Sequence, residues 1–243
     1  MGNLNKKCNM WILFFLLYAV LIYQETIGII KLLVKGENSM TNDTKTQELD
    51  IYDFDKTMIP FDSGSRFWMF CLLHYPWILL LAPYQFFAAF LYILHIFDLT
   101  QMKGPFFAFI RFIPLEKAVK KFWDKHEKDV FDWARKENRE RYSVMISASP
   151  DFLISEIASR IQIDDYICTR HGKSGKIIGK NCHDAEKVRL FREKYPEVRV
   201  INVYSDSIKN DKYIFSLAEN CYKTVKGEKI PFRFEMMYPA EAK

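Results

Sequence analysis

Between Phe67 and Phe97 the chain runs for 31 residues without a single Asp, Glu, Lys or Arg. Such a stretch has to be packed inside the protein or laid against lipid, because contiguous exposed apolar surface is otherwise an aggregation hazard. Pro76 and Pro83 interrupt it, and an interior proline breaks or kinks a helix. The expected shape is therefore a short helix, a proline-bounded turn and a second helix from about Tyr84 to Phe97. Each half falls short of the roughly 20 residues of a membrane span. Trp68, Tyr75, Trp77, Tyr84 and Tyr92 are ring types that favour a membrane–water boundary. A dipped hairpin or a lipid-resting surface is expected rather than two crossings. The alternative is a helical subdomain that buries these rings against itself.

The first 39 residues carry a second apolar block, Trp11–Tyr23, behind Lys6 and Lys7. It reads as an uncleaved anchor, or else Met40 is the true start. Leu115–Arg141 is rich in both charge signs, with Leu115, Val119, Phe122, His126, Val130 and Trp133 recurring at three- and four-residue steps. This pattern predicts an amphipathic helix, in which His126 is a packed residue rather than a ligand. Lys and Arg exceed Asp and Glu by 35 − 30 = 5, which makes no case for nucleic acid. Five cysteines without CxxC spacing exclude a zinc ribbon and a disulfide scaffold.

The remainder alternates strand and helix. Leu49–Tyr52, Val144–Ile146 and Val198–Tyr204 read as short buried strands, with helical patterns at Asp151–Arg160 and Asp184–Lys194. Ser149-Pro150 suits a helix start, with the serine as cap. Tyr166–Thr169 and Lys176–Ile178 flank the turn-like HGKSG and predict a hairpin beside the sheet. The alternation implies an α/β fold, a parallel sheet with helices on both faces. These strands and helices fall within residues 46–65 and 142–243, and the helical, very apolar stretch 66–141 lies between them.

In such sheets ligands bind outside the carboxyl ends of the strands, and three of these strands end in polar clusters. They are Asp53-Phe54-Asp55-Lys56-Thr57, Ser147-Ala148-Ser149-Pro150, and Asp206-Ser207 followed by Asn210-Asp211. Crowded carboxylates are costly unless a cation sits between them or one is protonated. Asp53, Asp55, Asp206 and Asp211 around one point, with the Ser147 hydroxyl, suit Mg²⁺ and a substrate phosphate. Lys187 is the expected phosphate-binding ammonium and Lys180 its competitor. Cys182-His183 has no partners to make a metal pair and reads as loop.

DFDKT resembles the first motif of the haloacid dehalogenase superfamily, SASP its second, the lysine of HDAEKV its third and YSDSIKND its acidic fourth, in that order. The resemblance implies a Rossmann-like sheet carrying a cap, here inserted between the first and second motifs as in the subfamily containing phosphoserine phosphatase. YSDS, the Cys-containing loop and the apolar insertion look more like the phosphatidylglycerophosphatase C branch. The resemblance further implies Asp53 as nucleophile and Asp55 as general acid and base. Asp53, the main-chain carbonyl of Asp55, and Asp206 would hold Mg²⁺, and Ser147, Lys187 and Thr57 would grip phosphate. Relatives often space the two acids of the fourth motif by four residues. Asp206 and Asp211 are five apart, so Asn210 and Asp211 both stand for the supporting role.

The expected activity is hydrolysis of a phosphomonoester on a lipid or amphiphile such as phosphatidylglycerophosphate. Membrane association is expected, with the site on the cytoplasmic side. The alternatives are a soluble small-metabolite phosphatase, its apolar cap buried or used in dimerisation, and a silent membrane-interaction protein; Arg66 and Arg111, which flank the insertion, are candidate contacts to a substrate headgroup.

Overall fold

A computed structural model describes residues 47–238; the anchor-or-start reading of residues 1–39 lies outside them. Six strands form one sheet, in the order β3-β2-β1-β4-β5-β6. They are β1 (Glu48–Tyr52), β2 (Tyr142–Pro150), β3 (Asp165–Thr169), β4 (Arg199–Ser205), β5 (Ala218–Val225) and β6 (Glu228–Phe232). All neighbours are parallel except β5 and β6.

The central strand shows how alternation builds two cores. Leu49 and Ile51 point to one face and pack with Val144, Ile146, Val200 and Phe191. Tyr52 joins the other face, where Phe54, Met145, Leu153, Ile154 and Ile157 meet the insertion's Phe67, Phe109, Phe122 and Trp123. Asp50 lies on the face of Tyr52 yet is buried. It is tolerated because Asn202 donates to it from both its main-chain N–H (3.2 Å) and its side chain (2.9 Å), since a buried charge must be paired.

The insertion between β1 and β2 is helical: α1 (Ser63–His74), a 3₁₀ segment (Pro76–Leu81), α2 (Ala82–Ile93), α3 (Leu99–Phe106) and α4 (Leu115–His126). Pro83 does not break α2. It stands in the first turn, where its missing N–H has no helical partner to lose. The helix of Leu115–Arg141 ends early, at His126. There the His126 imidazole meets Asp129 (2.8 Å) and Phe131 N–H is drawn onto the Met58 carbonyl of the core (2.9 Å). Val130 and Trp133 thus leave the helical stripe, and Arg139 holds the return path by donating to the carbonyls of Ala134, Ile161 and Gln162.

Behind β2 come α5 (Asp151–Arg160) and, after β3, α6 (Ala185–Lys194); α7 (Lys212–Phe215) and α8 (Phe234–Met237) are single turns. The hairpin expected around HGKSG is cut down to a short antiparallel return in which Lys176–Ile178 meets Arg170–Gly172 rather than Tyr166–Thr169. Tyr166–Thr169 belongs to the parallel strand β3, and the return is reduced to one bridge, His171 with Ile177. The hairpin between two full strands is β5–β6, joined by Lys226 and Gly227, both at positive φ. Its largely solvent-facing residues lack the apolar alternation by which strands announce themselves.

One turn couples the core to the insertion through bare backbone. Gly175 has φ +84°, and a Cβ there would lie 2.4 Å from the Phe107 carbonyl oxygen. Gly179 shares the positive φ (+81°) but faces open space. Gly179→Ala should cost only the backbone term, about 1 kcal/mol, and Gly175→Ala roughly 1–3 kcal/mol more. Thermal unfolding of both variants measures the difference; equal melting temperatures would contradict this packing.

Candidate active site

Each cluster takes its position from a strand that stops beneath it. β1 ends at Tyr52, and Asp53 N–H still bonds the Tyr204 carbonyl of β4 (2.9 Å). Lys56 (φ 58°) then turns the chain sharply and returns Thr57 under Asp53. The Thr57 hydroxyl donates to Asp53 Oδ2 (3.0 Å) and accepts from the Asp206 N–H (2.9 Å). Its single hydrogen is thereby spent on Asp53, so Thr57 ties the first cluster to the fourth. Lys187, in the first turn of α6, reaches Asp53 Oδ1 at 2.8 Å and Asp211 Oδ1 at 2.7 Å. Lys180 remains in the loop before it and does not line the cavity these groups share.

That cavity, of about 220 Å³, is lined by Asp53, Asp55, Lys56, Asp62, Ser147, Ala148, His183, Lys187, Asp206, Ser207, Asn210 and Asp211. The strand ends thus bring Asp53, Asp55, Ser147, Lys187, Asp206, Asn210 and Asp211 to one opening. Of the two residues competing for the supporting role, Asp211 is buried. It receives the Ser205 hydroxyl (2.5 Å) and pairs with Lys187, while Asn210 is exposed and its N–H donates to Ser207 Oγ (3.3 Å). Thr57 lies beneath the opening, and Ser147 Oγ accepts the Ser149 N–H (3.1 Å).

Electrostatically the site is crowded with carboxylates. Burial pushes the Asp53 carboxyl up, with Asp211 and Asp55 adding to the rise against the pull of Lys187. Burial likewise raises Asp55 to about 6, helped by Asp62 and opposed by hydrogen bonds from Ser149 and Ser63. Asp206 is raised by burial and by Asp211. Lys187 is held strongly in its charged form, because Asp53 and Asp211 outweigh the burial that would discharge it.

This donor set fits Mg²⁺. Among the described residues no three acidic, His or Cys side chains close on one point as a metal cage. Mg²⁺ takes few protein ligands, one or two carboxylates with waters and substrate oxygens completing the octahedron. Asp53, Asp206 and the Asp55 carbonyl are hard oxygen donors of that number, and a cation would offset the repulsion from Asp211 that adds to burial in raising the Asp53 and Asp206 carboxyls.

Several site residues went unread in the sequence. Ser149 does not cap α5, whose N-cap position is Pro150 without a side-chain bond. Its hydroxyl donates instead to Asp55 Oδ2, and Ser63 supplies its N–H to Asp55 Oδ1 (2.8 Å). Lys103 arrives from the insertion on α3, which starts with a reciprocal cap between Asp98 and Gln101. Its ammonium donates to the Ala148 carbonyl (2.9 Å) and Asn181 Oδ1 (3.0 Å). The Asp98-x-x-Gln101 pattern was the available signal for that helix start; nothing local pointed Lys103 at the core. Asp62 caps α1 through Ser65 N–H (2.7 Å) and also faces the cavity.

The family model of haloacid dehalogenase-like hydrolases matches residues 51–213. Among solved structures, the chain is similar to a protein of unknown function from Bordetella pertussis Tohama I, with 16% identity and a TM-score of 0.58, covering 71% of this chain and 88% of that one. A phosphoserine phosphohydrolase-like protein from Francisella tularensis subsp. tularensis SCHU S4 shows 14% identity and a TM-score of 0.48, covering 73% and 86%. A phospho-aspartyl intermediate analogue of phosphoserine phosphatase shows 14% and 0.46, covering 74% and 87%. At 16% identity the first of these likenesses is one of fold. No curated protein matches the chain.

Proposed function

This chain belongs to the haloacid dehalogenase-like hydrolases, and from that premise we propose that it is a Mg²⁺-dependent phosphomonoester hydrolase working through an aspartyl-phosphate on Asp53. The observation that carries the reading is the clamp on Asp53. Its two oxygens accept from Lys187 and Thr57, which fixes the carboxylate plane while each oxygen keeps a lone pair. An Asp53 oxygen attacks phosphorus, and the bond to the leaving oxygen breaks with its electron pair. Asp55 gives that oxygen its proton; a carboxyl pushed up to about 6 keeps a useful protonated fraction near neutrality. Asp55 then accepts a proton from water as the water attacks the acyl-phosphate, releasing phosphate and freeing Asp53. Asp53, Asp206 and the Asp55 carbonyl would hold Mg²⁺, which when bound would neutralise charge on the phosphoryl oxygens. Ser147 and Lys187 bind the remaining oxygens.

The substrate is proposed to be an amphiphilic or lipid phosphate of the phosphatidylglycerophosphate kind, met at a membrane surface on its cytoplasmic side. A cavity of about 220 Å³ suits a phosphoryl headgroup rather than a whole amphiphile. The insertion exposes Leu73, Trp77, Leu80, Phe86, Phe90 and Ile93. Pro76–Ile93 is long and apolar enough to cross a membrane, with mean hydropathy 1.5 and only 11% of it buried. Its division into a 3₁₀ piece and the separate helix α2 favours lying in the interface. Cys71, Cys168, Cys182 and Cys221 are free, in keeping with a reducing side.

Purified full-length protein should hydrolyse an aryl phosphate with Mg²⁺ and stop on chelation, and acid-quenched enzyme should carry a hydroxylamine-labile phosphoryl group. Absence of that adduct during turnover would sink the covalent route. Preference for a lipid phosphate in vesicles over phosphoserine would support the amphiphile; equal or better phosphoserine turnover, insensitive to vesicles, would move the substrate to a soluble metabolite.

A further inference from the structure

The insertion touches the site's second cluster by two polar links. One is Ser63 at the start of α1, whose hydroxyl donates to Ser149 Oγ (3.0 Å). The other is Lys103, half-buried between insertion and core, whose ammonium donates to Ala148 O and Asn181 Oδ1. The second link closes a gap that the core leaves by itself. Thr169 Oγ1 lies 3.0 Å from Ala148 O and 2.9 Å from Asn181 Oδ1, while accepting the Cys182 N–H (3.0 Å). A hydroxyl has one hydrogen, so Thr169 satisfies one of those two acceptors and leaves the other open. An ammonium has three, and Lys103 supplies both. It thereby joins the end of β2, which holds Ser147, to the segment that leads through Asn181 and His183 into Lys187.

We propose that Lys103 is a positioning residue for the phosphate site, an ammonium brought by the insertion that fixes Ser147 and Lys187 relative to one another. This rests on the phosphohydrolase reading above. Lys103 acts through Ala148 and Asn181 and need not touch the substrate. Without it, either the Ala148 carbonyl or the Asn181 amide oxygen is stranded in a mostly buried place, and the two phosphate-gripping segments lose their shared tie.

The test compares wild type, Lys103→Met and Lys103→Arg in the full chain, by aryl phosphate kinetics, thermal unfolding, and calorimetric binding of inorganic phosphate with Mg²⁺. Lys103→Met should raise both KM and the dissociation constant of inorganic phosphate by about tenfold or more, the scale of a lost charged hydrogen bond. Lys103→Arg should recover most of that loss. A purely structural role predicts something else: a lower melting temperature and a kcat reduced with the folded fraction, while KM and phosphate affinity stay at wild-type values. That outcome, or an arginine variant no better than methionine, overturns the positioning. Because phosphate binding needs no turnover, a wild type that binds phosphate in a Lys103-sensitive way without hydrolysing esters would overturn the reaction and keep the positioning. A wild type that neither binds nor hydrolyses overturns both.

Discussion

Asp53→Asn should lower turnover of an aryl phosphate by at least about 10³-fold, roughly 4 kcal/mol of transition-state free energy, while leaving the protein folded. The two side chains have the same shape, so the opening keeps its form. What changes is the nucleophile: a neutral amide oxygen does not form a stable acyl-phosphate, and the hydroxylamine-labile adduct should vanish with the activity. The fold should persist because the substitution removes a buried charge that is pushed upward by burial and by its acidic neighbours. Its main loss is one charged partner of Lys187, which retains Asp211 at 2.7 Å. Circular dichroism and a melting temperature within a few degrees of wild type would establish that the protein is intact. Turnover within a factor of a few of wild type, in a folded variant, would remove Asp53 from the chemistry.

How much of this could be read beforehand depended on whether a residue's partners lie near it in sequence or follow from strand topology. LDIY-DFDKT, VMI-SASP and VINVY-SDS each place a short apolar strand before polar residues, and parallel pairing brings such ends together. Asp53, Ser147 and Asp206 were therefore legible as neighbours though they span more than half the chain. Ser149 was misread because its local partner, the helix behind Pro150, is also what a serine there usually serves. Only the approach of Asp55 shows what its hydroxyl does instead. Lys103 was illegible for a stronger reason: its acceptors are a main-chain carbonyl and an amide on the far side of an insertion, and neither leaves a trace in spacing. The stripe from Leu115 was real as far as His126, but periodicity says nothing of where a tertiary bond such as Phe131 N–H to Met58 takes the chain out of its helix.

The second large effect concerns the ion triplet beneath the opening. Lys187 is buried between two carboxylates, at 2.8 Å from Asp53 and 2.7 Å from Asp211. Removing one member of a buried pair strands the others, at a cost of about 3–5 kcal/mol. Lys187→Met should therefore unfold at a temperature lower by roughly 6–20 °C at neutral pH, besides losing the phosphate-binding ammonium and most of the activity. The loss should depend on pH in one direction. Lys187 is the cation that lowers the Asp53 proton affinity; without it, Asp53 in the folded state is raised further above its unfolded value. A raised carboxyl contributes stability that is present below the ordinary carboxylate range and is lost as pH climbs through the folded-state value. The variant's deficit against wild type should thus be largest at neutral and alkaline pH and shrink as pH falls toward 5. Lys187→Met with Asp211→Asn removes one stranded charge and should regain stability without regaining turnover, which separates the lysine's structural part from its catalytic part. A deficit that is flat from pH 5 to 8, or a double variant no more stable than the single, would mean that the triplet is not held by charge.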